Sequence, residues 1–301
     1  MDAEPQIDKA EELRKKWGVE RGQIWELGEH RLMCGDSTSL TEMIGLVKTG
    51  ADLVITSPPY NVGVEYASHD DSEVPWPQYE KFLTKCLEAI MPALSKGRAF
   101  IWNIGTSPKT HHVRQHILIE KFGLTYYRQM IWKKVGVPVP LWFNTVNNPR
   151  ARQFTPNYQH EIVLIFTNGK LDRGENVSID PLCENDVFEF GQQFATTDIP
   201  EGLKYTGAQS NLDRRSKKAH PAAFPVRIPK MFVNHFTSEN ETVLEPFAGA
   251  GATIIACEQL GRKCRAMEID PGYVAVSIQR WADATGKNPS IAPELVHSVS
   301  K

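Results

Sequence analysis

Residues 51–61 read Ala51-Asp52-Leu53-Val54-Ile55-Thr56-Ser57-Pro58-Pro59-Tyr60-Asn61, a short β-branched run that ends in two prolines. Such a run is a buried parallel strand, and because neither proline can donate to a ladder, pairing stops there and a stiff loop follows. In open α/β sheets, ligands bind at the carboxyl ends of the strands. Ser57, the Pro58 carbonyl and the Tyr60 ring are thus candidates for a reactive edge, although the hexapeptide alone reads as readily as a surface turn.

The chain around this stretch has 301 residues, 41% hydrophobic and 23% charged, enough for one large α/β domain with an inserted lobe. No apolar run approaches the ~18 residues of a membrane span. Met1 to Lys16 lacks the basic-then-apolar layout of a signal peptide, so a cytoplasmic protein is expected. The five cysteines are scattered without a Cys-x-x-Cys pair, which fits reduced core thiols rather than a disulfide frame or a zinc site. His111, His112 and His116 have no neighbouring Glu or Cys in a metal-binding spacing, and no metal is expected.

Net charge is −2, so a nucleic-acid surface has to be a local patch. Lys170 to Glu201 carries two basic and eight acidic residues, whereas Gly202 to Lys218 carries five basic and one acidic. Arg214, Arg215, Lys217 and Lys218 form the densest basic group, open to two readings, a phosphate contact or a solvated loop.

Along the chain, residues 8–17 read as a surface helix. Two short alternating runs from Gly22 to Asp36 about a Gly-Glu-His turn read as a hairpin. Asp36, where its second strand stops, is placed either to cap the next helix or to reach a ligand. Helical patterns at 76–94, 111–121 and 225–236 alternate with apolar strands at 98–104, 126–132 and 161–166, which implies a parallel or mostly parallel sheet covered on both faces. Residues 133–152 and 167–219 are too long and aperiodic for plain connections and read as functional insertions.

Near the C-terminus, Glu241-Thr-Val-Leu-Glu-Pro-Phe-Ala-Gly-Ala-Gly-Ala-Thr253 runs into a helical pattern, then Lys263-Cys-Arg-Ala-Met-Glu-Ile-Asp270 and a further helix. Strand, Gly-rich turn, helix, strand and carboxylate is the layout of a nucleotide-type cofactor site, with Glu268 placed to take two ribose hydroxyls. A dinucleotide fingerprint wants a third glycine where Ile254 stands, so a cofactor without a pyrophosphate is the better fit.

The Phe247-Ala-Gly-Ala-Gly251 turn, Glu268 and the Ser57-Pro-Pro-Tyr60 loop together resemble the S-adenosylmethionine-dependent DNA amino-methyltransferases. The catalytic loop precedes the Gly turn by about 190 residues, the order of that family's permuted β group. Gly35-Asp36, Ile131-Trp132-Lys133 and His220-Pro221-Ala-Ala-Phe224-Pro225 are further matches.

The resemblance implies a Rossmann-like methyltransferase fold with a mostly parallel seven-stranded sheet. It divides the chain into an N-terminal arm (1–20), a catalytic half (21–166, with a recognition segment at 133–152), a target-recognition insertion (167–219) and a cofactor-binding half (220–301). It implies S-adenosyl-L-methionine as cofactor, with Phe247, Gly249 and Gly251 packing on the methionine moiety, Glu245 near its ammonium, Glu268 on the ribose and Asp36 on the adenine amino group. Ser57, Pro58, Pro59 and Tyr60 become the catalytic loop. A target base has to be flipped out to reach it, with Tyr60 as stacking platform and Trp132 as the opposite wall. Lys133, Arg214, Arg215, Lys217 and Lys218 are the implied DNA contacts. Double-stranded DNA is the implied partner, alongside a second copy of the chain and a cognate restriction endonuclease. Ser ahead of Pro-Pro-Tyr leans towards cytosine N4, with adenine N6 as the alternative. Rival readings are a methyltransferase acting on RNA or protein amides, a catalytically silent DNA-binding subunit and a nicotinamide dehydrogenase.

Overall fold

The computed structural model describes residues 2–61, 64–65, 70–71, 74–106, 110–135, 160–172, 186–191 and 225–293. Most of the two expected insertions, with Arg214, Arg215, Lys217 and Lys218, lies outside the described residues.

The chain opens with α1 (Ala10–Trp17), which follows a short 3-10 turn, and then forms the expected hairpin of β1 (Ile24–Leu27) and β2 (His30–Cys34). The helix expected after Asp36, α2 (Leu40–Val47), leads into β3 (Ala51–Thr56). A two-residue hairpin, β4 (Val64–Glu65) with β5 (Asp70–Asp71), precedes α3 (Trp76–Ile90), β6 (Leu94–Gly105) and α4 (His112–Lys121). Then come β7 (Thr125–Val135), β8 (His160–Thr167) and β9 (Val187–Gly191). The last part comprises α5 (Arg227–Phe236), β10 (Thr242–Glu245), α6 (Ala252–Leu260), β11 (Lys263–Glu268), α7 (Pro271–Thr285) and β12 (Ser290–Ile291).

The main sheet has ten strands among the described residues, in the order β12-β1-β2-β11-β10-β3-β6-β8-β7-β9, rather than the expected seven. The five in the middle, β2, β11, β10, β3 and β6, run parallel. β8 is antiparallel to both β6 and β7, so their shared pairing could not be read from apolar runs that look alike in either direction. The extra strands are β12 and β1 at one edge and β9 at the other; β12 and β9 have two and five residues, too short to show a period.

Apolar side chains fill both faces. Leu53, Ile55, Ile101, Phe232, Ile254 and Trp281 lie in one layer, while Val54, Phe100, Trp102, Leu83 and Leu87 lie in the other. Alternation along β3 therefore sends successive residues into opposite layers, as expected of a strand buried on both sides. Trp132 belongs to the first layer and is 1% exposed. It is part of the same buried cluster as Ile101, Met130 and Val163, so we place it in the core rather than as an outer wall for a flipped base. Trp132→Ala is accordingly expected to cost about 3–5 kcal/mol in denaturant unfolding, the range for an emptied aromatic core position.

Candidate active site

Parallel strands bring their carboxyl ends to one edge. Cys34 pairs with Glu268, Glu245 pairs with Ala266, and Thr56 pairs with Trp102, so the residues that follow β2, β11, β10 and β3 stand side by side. Asp36, Glu268, the Gly turn and Ser57 thus meet along one line although they are scattered through the sequence.

The Gly turn is fixed at every peptide. Ala248 N donates to Met267 O, Gly249 N to Glu268 Oε2 at 2.9 Å, and Gly251 N to Ala248 O. Ser277 Oγ donates to Gly249 O, and Arg280 Nη1 to Ala250 O. Arg280 is itself held by Asp2 in an ion pair of which both side chains are 5% exposed. The two glycines differ. A Cβ at Gly249 would meet nothing within 4 Å, whereas one at Gly251 would come to 2.9 Å of Ser277 Oγ. Gly249 leaves open space over the turn and Gly251 lets α6 close on α7.

Glu268 is partly exposed and accepts the amides of Gly249 and Asp270, both at 2.9 Å. Burial pushes its carboxyl up to about 7, against the pull of those amide donors. Asp36 is partly exposed beside it; its Oδ1 accepts the Thr38 amide and hydroxyl. The cap of α2 is Ser39, whose side chain accepts from Glu42 N, so Asp36 does not serve as the helix cap. Ser37 Oγ donates to Pro246 O and holds this loop against the Gly turn. A carboxylate at a strand end, a second across the edge, and an open glycine turn flanked by Phe247 suit a nucleoside with a hydroxylated sugar and no phosphate.

Glu245 is placed beneath the turn, 2% exposed. Oε1 accepts Thr56 Oγ1 at 2.5 Å and Phe247 N at 3.1 Å, and Oε2 accepts Thr253 Oγ1 at 3.0 Å. Both oxygens are engaged inside the protein, so we place Glu245 as a tie between β3, the turn and α6 rather than on the ligand face. Burial pushes its carboxyl up to about 8.

The Ser57-Pro58-Pro59-Tyr60 loop is braced from behind. Tyr79 Oη donates to Pro59 O at 2.6 Å, and Asn61, at φ 57, exchanges two bonds with the Val74 backbone. Gln115 donates to Tyr79 Oη and accepts the Trp102 indole N–H. Phe82 links Tyr79, on which it stacks, to Phe247. Ser57 Oγ lies 2.9 Å from Tyr60 Oη, which in turn lies 2.9 Å from Glu161 Oε2 and 2.6 Å from Asn103 Nδ2. Burial, then the Glu161 charge, holds the Tyr60 phenol well above its ordinary value. Asn103 and Glu161 escaped the sequence reading, although an Asn inside the run Phe100-Ile-Trp-Asn-Ile104 is a visible signal that a buried polar partner is needed.

Lys133 is exposed at the edge where β7 passes Glu161. His116 packs on Tyr126 and Phe166 and lies 3.7 Å from Glu120.

The DNA methylase family matches residues 51–279, a span that runs from β3 through most of α7 and holds both the loop and the turn. The chain belongs to this family. Its members methylate exocyclic amines of adenine or cytosine and use S-adenosyl-L-methionine as donor, so the chain is a DNA amino-methyltransferase. Among curated relatives, the Type II methyltransferase M.ScaI of Streptomyces caespitosus is 24% identical over 85% of this chain and 82% of its own length. Among solved structures, the PvuII DNA methyltransferase (cytosine-N4-specific) superposes with a TM-score of 0.59 at 19% identity, covering 83% of this chain and 85% of its own. The M1.HpyAVI–SAM complex reaches 0.50 at 16% identity, covering 83% and 98%. Both share the fold described above. Among the described residues no helix is long and apolar enough to cross a membrane.

Two outcomes are expected of this DNA methylase. Gly251→Leu, strained at φ 77 and pressed on Ser277, should weaken S-adenosyl-L-methionine binding at least ~10-fold in calorimetric titration. Glu245 and Glu268 are raised in the folded state, so their contribution to stability is complete below the unfolded carboxylate value of about 4.5 and is lost as pH rises through about 7 to 8. The melting temperature should therefore fall from about pH 5 to about pH 9, and fall less steeply in Glu245→Gln.

Proposed function

We propose that the protein transfers a methyl group from S-adenosyl-L-methionine to N4 of a cytosine flipped out of duplex DNA. The observation that carries the reading is the Ser57-Pro58-Pro59-Tyr60 loop standing at the same sheet edge as Glu268 and the open turn at Gly249, the two ends of one site.

The bound cofactor supplies an electrophilic sulfonium methyl, and the chain's own residues do the rest. Glu268 accepts the ribose hydroxyls, Asp36 the adenine amino group, and Phe247 with the Gly turn covers the methionine end. The target amine is a poor nucleophile because its lone pair is delocalised into the ring. Ser57 Oγ and the Pro58 carbonyl take its two N–H groups and aim the lone pair at the methyl. The Pro59 carbonyl is already committed to Tyr79. The partly exposed Tyr60 ring stacks on the flipped base. No strong base is needed, since the proton leaves after transfer.

Residues 133–152 and 167–219 form the target-recognition lobe, in which Arg214, Arg215, Lys217, Lys218 and the exposed Lys133 meet phosphates. Ser57 and the fold shared with the PvuII enzyme favour cytosine. A cognate restriction endonuclease fits the Type II naming of the curated relatives.

The test is to incubate the chain with methyl-labelled S-adenosyl-L-methionine and mixed-sequence duplex DNA, digest to nucleosides and identify the product. N4-methylcytosine is expected. N6-methyladenine alone would replace the target base, and label in RNA or protein but not in DNA would replace the substrate class.

A further inference from the structure

The groups behind Ser57 are arranged with a definite direction. Glu161, the second residue of β8, is 8% exposed, and its Oε2 lies 2.9 Å from Tyr60 Oη and 2.6 Å from Asn103 Nδ2. Asn103 Nδ2 is also 2.6 Å from Tyr60 Oη, and Ser57 Oγ is 2.9 Å from it. These four side chains come from β6, β8 and the catalytic loop, and the reaction as derived above uses only two of them.

Counting donors assigns every proton. A carboxylate only accepts, a phenol has one proton, and a primary amide has two. Tyr60 therefore gives its proton to Glu161, while Asn103 gives one N–H to Glu161 and one to Tyr60. The remaining lone pair of Tyr60 Oη takes the Ser57 hydroxyl proton. Asn103 adopts this arrangement although its Oδ1 is left buried without a partner. Turned the other way, its carbonyl would face the carboxylate at 2.6 Å, which is repulsive. The Ser57 proton is thus directed inward and its lone pairs outward.

That sense matters for an amine nucleophile. A serine that donated its proton to the amine would occupy the lone pair that has to attack, whereas one that accepts an N–H leaves it free and raises its electron density. We propose that Glu161 is a positioning residue for methyl transfer, which through Tyr60 holds the Ser57 hydroxyl as an acceptor towards the target amine. The inference rests on the amine-methylation reading above and gives the Tyr60 hydroxyl a task separate from ring stacking. It also assigns Asn103 as the donor that keeps Glu161 and Tyr60 in register.

The experiment compares the unaltered chain with Tyr60→Phe, Glu161→Gln, Glu161→Asp and the Tyr60→Phe/Glu161→Gln double variant. It measures kcat on mixed-sequence duplex DNA, cofactor Kd and melting temperature. Tyr60→Phe and Glu161→Gln should each lower kcat about 10- to 100-fold, the worth of a hydrogen bond to a charged group, with cofactor Kd changed less than about two-fold. The double variant should match Tyr60→Phe alone to within about two-fold, because Glu161 acts through that hydroxyl. Glu161→Asp should recover part of the Glu161→Gln loss. Multiplicative losses in the double variant would overturn the inference, as would an unchanged kcat in Tyr60→Phe, a variant that keeps the ring and the carboxylate. No transfer to DNA by the unaltered chain would overturn the function reading and this inference with it.

Discussion

Glu245 accepts the hydroxyl of Thr56, one residue before Ser57, and the hydroxyl of Thr253 in the first turn of α6, so one buried carboxyl group ties β3 to α6. The partners in the first of these bonds are 189 residues apart. Burying such a group is costly unless its oxygens are satisfied, and three donors satisfy them here. The register of β3 against β10 follows from this tie as much as from their backbone pairing at Leu53–Val243 and Val54–Leu244. Everything the site needs, from the height of the Gly turn to the exit direction of the Pro-Pro loop, depends on that register.

Much of this was legible because the physical demands were local. Two prolines after an apolar run specify where a strand must stop, and Gly249 and Gly251 after a second strand mark a turn that a ligand can approach closely. The helices at 76–90, 112–121 and 227–236 carry their own period. What could not be read is non-local. Trp132 follows the same alternation whether its ring packs inward or faces a ligand, and only its burial in the folded core decides. Glu245 sits in the motif where a ligand contact is expected, yet Thr56 and Thr253, which claim its oxygens, lie in separate parts of the chain. The direction of β8 and the bonds of Glu161 likewise depend on strands far away in sequence.

The site is built in two layers. Ser57, Tyr60, Phe247 and Glu268 are partly exposed at the carboxyl edge. Behind them stand buried groups that brace them: Tyr79 and Gln115 under Pro59, Ser277 and Arg280 under the Gly turn, Asn103 and Glu161 behind Tyr60. The Phe247–Phe82–Tyr79 contacts join the two supports through α3. Such a backing fixes geometry before any ligand arrives, so little reorganisation is left to the moment of reaction.

The parallel pairing of β3 with β10 also has a kinetic side. These neighbours at the centre of the sheet lie roughly 190 residues apart along the chain. Closing so long a loop adds little to the equilibrium cost, which grows only logarithmically with length, but pairings of this span weigh on the rate at which a chain folds. The hairpin of β1 and β2 and the β6–β8–β7 ladder can form from nearby segments. The central seam cannot form until the C-terminal β10–α6–β11 unit has been synthesised, so during translation the Ser57 loop waits beside an open sheet edge.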